Sequence, residues 1–139
     1  MLEYRRSSTA SPAQAWRLLA RPDAWSEWAP HLRGAWGLGA PEVEEGSRGA
    51  ARVAWVVPVP AKITQKEPGR AWRWRVGPYS MEHRVEPNGS GCEVVLEVSA
   101  SGPFERLFDL SYGRVIPVLL GRLADAAADR EAAGGASPA

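Results

Sequence analysis

The stretch AWRWRVGPYSMEHRVEPNGSGCEVVLEVS, residues 71–99, alternates apolar and polar side chains on either side of two turns. Trp72, Trp74 and Val76 take one face of a strand, and Arg73 and Arg75 take the other. Gly77-Pro78 turns the chain. Met81, His83 and Val85 then oppose Glu82, Arg84 and Glu86. Pro87 to Gly91 is a second turn, after which Val94, Leu96 and Val98 oppose Glu93, Val95, Glu97 and Ser99 over 92–100. A period of two broken by turn residues predicts an antiparallel meander. One face is apolar and one charged, so the sheet packs on one side and meets water on the other.

The same period extends upstream. Ala51, Val53, Trp55 and Val57 alternate, then Pro58-Val59-Pro60 reads as a connection to a strand at 61–67, with a turn at Pro68-Gly69. Residues 38–49, LGAPEVEEGSRG, read as a loop, and 32–37 as a short strand. A first strand is expected over 2–9. Between these strands Ser11-Pro12 opens a short helix, with Ser11 as its cap and Ala15, Trp16, Leu18 and Leu19 as its apolar patch. Arg21-Pro22 ends that helix. Asp23 caps a second, with Trp25 and Trp28 on one face.

Downstream the period becomes helical. From Pro103 to about Ala132, Phe104, Leu107, Phe108, Tyr112, Val115, Ile116, Leu119, Leu120 and Leu123 recur at three- and four-residue spacing. Gly113 and Pro117 weaken or kink this helix. One amphipathic helix must then cover one half-apolar sheet. A single domain over 1–132 with a disordered tail at 133–139 is expected from 139 residues.

Composition narrows the function. A net charge of +1 supplies no strong field for nucleic acid or an anionic membrane. A single cysteine excludes a disulfide framework and a cysteine-based metal site. His31 and His83 show no metal-ligand spacing, and neither a metal nor a cofactor is expected. Gly34, Gly37 and Gly39 form no phosphate loop. No apolar run reaches the roughly 20 residues a bilayer needs, and the N-terminus lacks the apolar core of a signal peptide. Stable membrane insertion is therefore not expected, and a cytoplasmic location is.

The ordered pieces resemble a known group of proteins. SPAQAWRLLARPDAWSEWAP, GSRGAARVAWVVPVPAKITQKEPGRAWRWRV and MEHRVEPNGSGCEVVLEVSASGP are similar, in order and spacing, to segments of the START-like, Bet v 1-like (SRPBCC) superfamily. Within it they look most like the polyketide cyclase/dehydrase and lipid transport group, over roughly residues 2–131. The resemblance implies an α+β helix-grip fold. In that fold a curved antiparallel β-sheet wraps around a long C-terminal α-helix, two short helices follow the first strand, and a cavity lies between sheet and helix. It also implies a small hydrophobic ligand such as a lipid, polyketide or aromatic compound. A minority of such proteins are cyclases or dehydrases, and some act through protein contacts.

Within such a cavity the parity of the strands and helix selects Trp55, Trp72, Trp74, Met81, His83, Leu96, Phe108, Tyr112 and Ile116 as ligand-binding candidates. His83 is the catalytic candidate. It either hydrogen-bonds a ligand oxygen, works as an acid–base group or is a structural histidine. Tyr112 either donates to a ligand carbonyl or packs with its hydroxyl in water. Trp55, Trp72 and Trp74 either wall the cavity or fill it. Trp16, Trp25 and Trp28 are expected to anchor the short helices. Arg5, Arg6, Arg73 and Arg75, with Asp109 and Arg114, are expected on solvated faces. Loops at 38–47, 58–60 and 77–80 are expected around the entrance. Binding of a hydrophobic molecule is the leading reading. A polyketide cyclase or aromatase using His83 and a protein-interaction module are its rivals, and either a monomer or a homodimer fits.

Overall fold

The computed structural model describes residues 1–29, 32–53 and 57–136. Seven strands form one antiparallel sheet: β1 (Leu2–Ser8), β2 (Leu32–Trp36), β3 (Arg48–Val53), β4 (Val57–Glu67), β5 (Ala71–Val76), β6 (Tyr79–Asn88) and β7 (Gly91–Ser99). Their spatial order is β1-β7-β6-β5-β4-β3-β2, so β1 returns to pair with the last strand. Helix α1 (Pro12–Ala20) and a 3₁₀ segment at Pro22–Glu27 follow β1. Helices α2 (Phe104–Tyr112) and α3 (Val115–Ala136) follow β7. Among the described residues no helix is long and apolar enough to cross a membrane.

The meander forms as its alternation predicts, with tighter turns. Val76 pairs with Tyr79 and Asn88 with Gly91, so each hairpin loop is two residues. Gly89 opens the second loop at φ +62°, a backbone region that suits glycine. The apolar faces of the strands make the core: Ile63, Trp72, Val85, Val94 and Val98 are all buried. On the opposite face Arg84 reaches Glu82, Glu86 and Glu97, and Arg5 reaches Glu3, Glu86 and Glu93. Glu82 faces Glu97 across the ladder and Glu86 faces Glu93. Like charges so placed repel, and the two guanidinium groups between them offset that. Val95 lies opposite both Arg5 and Arg84 and is fully buried despite its outward parity. The aliphatic stems of the arginines account for this.

Several expectations are corrected. Pro58, Val59 and Pro60 are not a connection; they pair in β4 with Arg52, Ala51 and Ala50. Pairing of β4 with β5 begins only at Lys62. Two prolines two residues apart point their nitrogens to the same edge, which here has no partner strand to bond. The C-terminal helix is two helices, divided at Gly113 and Arg114. Helix α3 continues to Ala136, so the first four residues of the tail expected from 133 are helical; 137–139 lie outside the described residues. Ser11 takes the cap position without a side-chain capping bond. Its backbone N–H instead donates to Glu131 of α3 at 2.8 Å. Arg21, not Asp23, stands at the cap of the 3₁₀ segment.

Helix α3 lies against β1 and α1. Ser8 Oγ donates to the Ala124 carbonyl at 2.8 Å. Tyr4 donates to Asp109 Oδ1 at 2.8 Å, so Asp109 is tied to the sheet and not simply solvated. Burial and that carboxylate push the Tyr4 phenol up to about 12, which keeps it a donor. Arg6 shares the parity of Tyr4 and Ser8, and its guanidinium lies under Gly121 of α3 instead of on the charged face of the sheet.

Two glycines make opposite predictions. A Cβ on Gly121 would lie 3.5 Å from the nearest Arg6 atom, an ordinary contact. Gly121→Ala is expected to raise unfolding free energy by about 0.5–1 kcal/mol in urea titrations. A Cβ on Gly49 would lie 1.9 Å from the Trp36 carbonyl oxygen, where β2 meets β3. Gly49→Ala is expected to cost about 1–3 kcal/mol in the same titration.

Candidate functional site

A cavity of about 280 Å³ lies between the sheet and the C-terminal helices. That is close to the lower end of small-molecule sites, roughly 300–1,000 Å³. Strand β5 supplies Trp74 and Val76; β6 supplies Tyr79, Met81 and His83; β7 supplies Leu96. Helix α2 supplies Phe108 and Tyr112, and α3 supplies Ile116, Leu119 and Leu120. The strand residues reach it because they share the inward parity. The helical ones reach it because 108, 112, 116, 119 and 120 fall on one face across the α2–α3 junction. Among the described residues no charged side chain lines it.

Of the residues picked from sequence, Trp74, Met81, His83, Leu96, Phe108, Tyr112 and Ile116 stand on this wall. Trp72 does not. It is buried, its ring sandwiched between His83 and Trp25, and its Nε1 donates to the Leu19 carbonyl at 3.2 Å. A ring stacked on both faces has no surface left for a ligand. Trp55 lies outside the described residues. Trp28, expected only to pack, both packs and lines the cavity, its Nε1 spent on the Leu18 carbonyl at 2.9 Å. Tyr79 also lines it, from the first residue of β6. The β6 alternation extended back two residues from Met81 would have placed it there.

Of the three segments expected around the entrance, 58–60 and 77–80 each place a residue on the wall, Val59 and Tyr79, and 38–47 places none. The 38–47 loop sends Leu38 and Val43 into the core and contributes nothing to the cavity wall. Position 77–80 is a two-residue turn and the start of β6. The exposed boundary is instead at α2, where Tyr112 is 46% exposed and Leu110 75%. Phe104, Leu107, Val115 and Val118 are also exposed there.

His83 is held by rings. It stacks on Trp72 at 3.8 Å with 7° between planes, and the Trp74 ring meets it edge-on at 5.7 Å. Its cross-strand neighbours are Trp72 and Leu96. Its Nδ1 is closed off from water without a hydrogen-bond partner. Burial pushes the imidazole down to about 3, and backbone groups of Trp72 and Met81 oppose this only weakly. The ring is therefore neutral at physiological pH. The Trp74 indole donates to Met81 Sδ at 3.4 Å. Cys92 is a buried thiol, pushed up by burial and away from the thiolate form. Among the described residues no three His, Cys, Asp or Glu side chains gather as a metal set.

Comparison with known proteins agrees with this architecture. The family model described as polyketide cyclase/dehydrase and lipid transport matches residues 2–132. A protein from Nitrosomonas europaea has 14% identity over 95% of this chain and 96% of its own, with a TM-score of 0.77. A protein from Mesorhizobium loti has 16% identity over 93% and 96%, with a TM-score of 0.74. The Aha1 dimer from Colwellia psychrerythraea has 18% identity over 90% and 93%, with a TM-score of 0.68. At these identities the likeness is one of fold. None of the curated protein sequences matches significantly.

A neutral buried histidine makes stability depend on pH. Between the unfolded value of 6.5 and the folded value of about 3, the unfolded chain binds a proton that the folded chain refuses. Stability therefore falls as pH falls through that window, by up to about 1.4 kcal/mol per pH unit. Glu3, Glu86 and Glu105 are held below the usual carboxylate range, and they add loss in the same direction at lower pH. Urea titrations are expected to show about 2 kcal/mol less stability at pH 5 than at pH 7. His83→Leu should remove most of that difference. Equal pH sensitivity in both proteins would contradict a neutral, buried ring.

Proposed function

The chain belongs to the polyketide cyclase/dehydrase and lipid transport family, and from that footing we propose that it binds a small hydrophobic molecule in the cavity between the sheet and helices α2 and α3. The observation that carries this reading is an apolar cavity of about 280 Å³ without a charged side chain among its described lining residues. Apolar surface left open inside a fold gains free energy when an apolar ligand covers it. Trp74, Met81, Leu96, Phe108 and Ile116 supply that surface, and His83 and Tyr112 supply the polar contacts that orient the ligand.

The chemistry of His83 supports binding over proton transfer. A ring whose conjugate acid has a pKa of about 3 is a weak base at neutral pH. The rings of Trp72 and Trp74 pack against it, its other cross-strand neighbour is Leu96, and none of these is a carboxylate that would stabilise the imidazolium. A cyclase or aromatase reaction through His83 would need the substrate itself to raise that basicity.

The exposed apolar side chains at Leu107, Leu110 and Val118 support a second reading, interaction with a protein, including a second copy of this chain. One structural neighbour is described as a dimer. Light scattering on the purified protein separates a monomer from a homodimer.

Organic extraction of the purified protein, followed by mass spectrometry against a mock purification, is expected to return a stoichiometric apolar compound. Ile116→Trp fills the cavity from α3. It is expected to lower affinity for a neutral apolar fluorescent probe by about tenfold or more, or about 1.4 kcal/mol, with the fold retained by circular dichroism. Unchanged probe binding in the filled variant would sink the cavity reading.

A further inference from the structure

The apolar side chains left in water are not scattered. Phe104, Leu107, Leu110, Tyr112, Val115 and Val118 are all exposed, and all lie on α2 and the first turn of α3. Beyond this run, only Met1 and Trp36 among the described residues are large, apolar and exposed. Leu107 and Leu110 stand three apart on α2, as do Val115 and Val118 on α3, so each pair shares a face. A gathered apolar surface of this kind marks a place of contact.

The free charges around it have one sign. Arg106, Arg114 and Arg122 are exposed, and none of them is ion-paired among the described residues. Arg122 shares the face of Val115 and Val118. The two carboxylates of the same run are turned back to the protein: Asp109 accepts from Tyr4, and Glu105 reaches the Met1 amine. Exposed acidic residues return only further along α3, at Asp125 and Asp129. The whole-chain charge of +1 averages over this division and hides it.

We propose that α2 and the start of α3 form a docking face for an anionic lipid surface. Leu107, Leu110 and Val118 enter the boundary between headgroups and acyl chains, and Arg106, Arg114 and Arg122 rest on the headgroups. The proposal goes beyond the cavity reading and does not depend on it. Contact is peripheral, since no helix among the described residues is long and apolar enough to cross a membrane. A lipid surface suits both halves of the patch. Its acyl boundary buries leucine and valine, while arginine stems lie along that boundary and keep the guanidinium groups at the phosphates. Guanidinium groups bond phosphate oxygens in pairs. A second copy docked through the same patch would bring one positive surface against another, with no free carboxylate between them.

The test is flotation of the purified protein with vesicles of phosphatidylcholine alone and of phosphatidylcholine mixed with phosphatidylglycerol. Partition to the mixed vesicles is expected to be about tenfold or more the stronger, an excess that added salt reduces. Arg106→Ser/Arg114→Ser/Arg122→Ser should weaken binding to the mixed vesicles by about tenfold or more. Leu110→Glu should weaken it as well, because a carboxylate does not enter the apolar boundary. Lys62→Ser/Arg70→Ser/Arg75→Ser removes the same charge from exposed positions on β4, β5 and the turn between them, and should retain most of the binding. Every substituted position is exposed, and circular dichroism checks the fold of each variant. Absence of vesicle binding, equal binding to both vesicle types, or an equal loss in the two triple variants overturns the proposal. So does light scattering that shows a dimer split by Leu110→Glu, which assigns the face to a second copy.

Discussion

The carbonyl end of helix α1 is the constraint on which the rest of the structure depends. The last carbonyls of a helix have no partner within it and need donors from elsewhere. Here Arg21 is extended and Pro22 follows, so the chain supplies no glycine cap. Three indoles take that part. Trp25 and Trp72 both donate to the Leu19 carbonyl, and Trp28 donates to that of Leu18. Trp72 belongs to β5, so the same bonds that finish the helix fasten it to the sheet. Trp25, Trp72 and His83 then stack in sequence, and Trp74 meets all three edge-on. Four elements of the chain are locked by one cluster of rings.

That cluster explains the character of the cavity. Its inner wall is aromatic because the rings that cap α1 and stack on β5 and β6 end there. Its histidine is neutral because burial disfavours the charged imidazolium. The opposite wall is different in kind. It is built by α2 and the start of α3, which present Phe108 and Ile116 inward and Leu107, Leu110 and Val118 outward to water. The helical run is interrupted at Gly113 and Arg114, and both helices place side chains on this wall. Polarity is thus concentrated at one deep point and at the rim.

Much of this was legible in the residues. The alternation of 71–99 is strong because one face must meet the core and the other water, so parity is enforced at every position. It placed Trp74, Met81, His83 and Leu96 on the cavity side. The prolines at 58 and 60 misled because their effect depends on which edge of a strand is paired, which is a property of the neighbour and not of the proline. Val95 misled because its cover comes from arginines two strands apart. Trp72 and Trp74 have the same residue type and parity, two positions apart, yet one is sealed in a stack and the other lines a void.

The sequence by itself determined the order of elements, the inward face of each strand and the family resemblance, because periodicity and turn chemistry act over a few neighbouring residues. The tertiary structure decided which tryptophans fill space and which border it, where the C-terminal helix divides, and that His83 borders the cavity with its Nδ1 enclosed and unpartnered. Those outcomes depend on side chains brought together from α1, β5, β6 and α2. The volume left between them is a difference between what the rings occupy and what the sheet and helices enclose, and local sequence does not carry that difference.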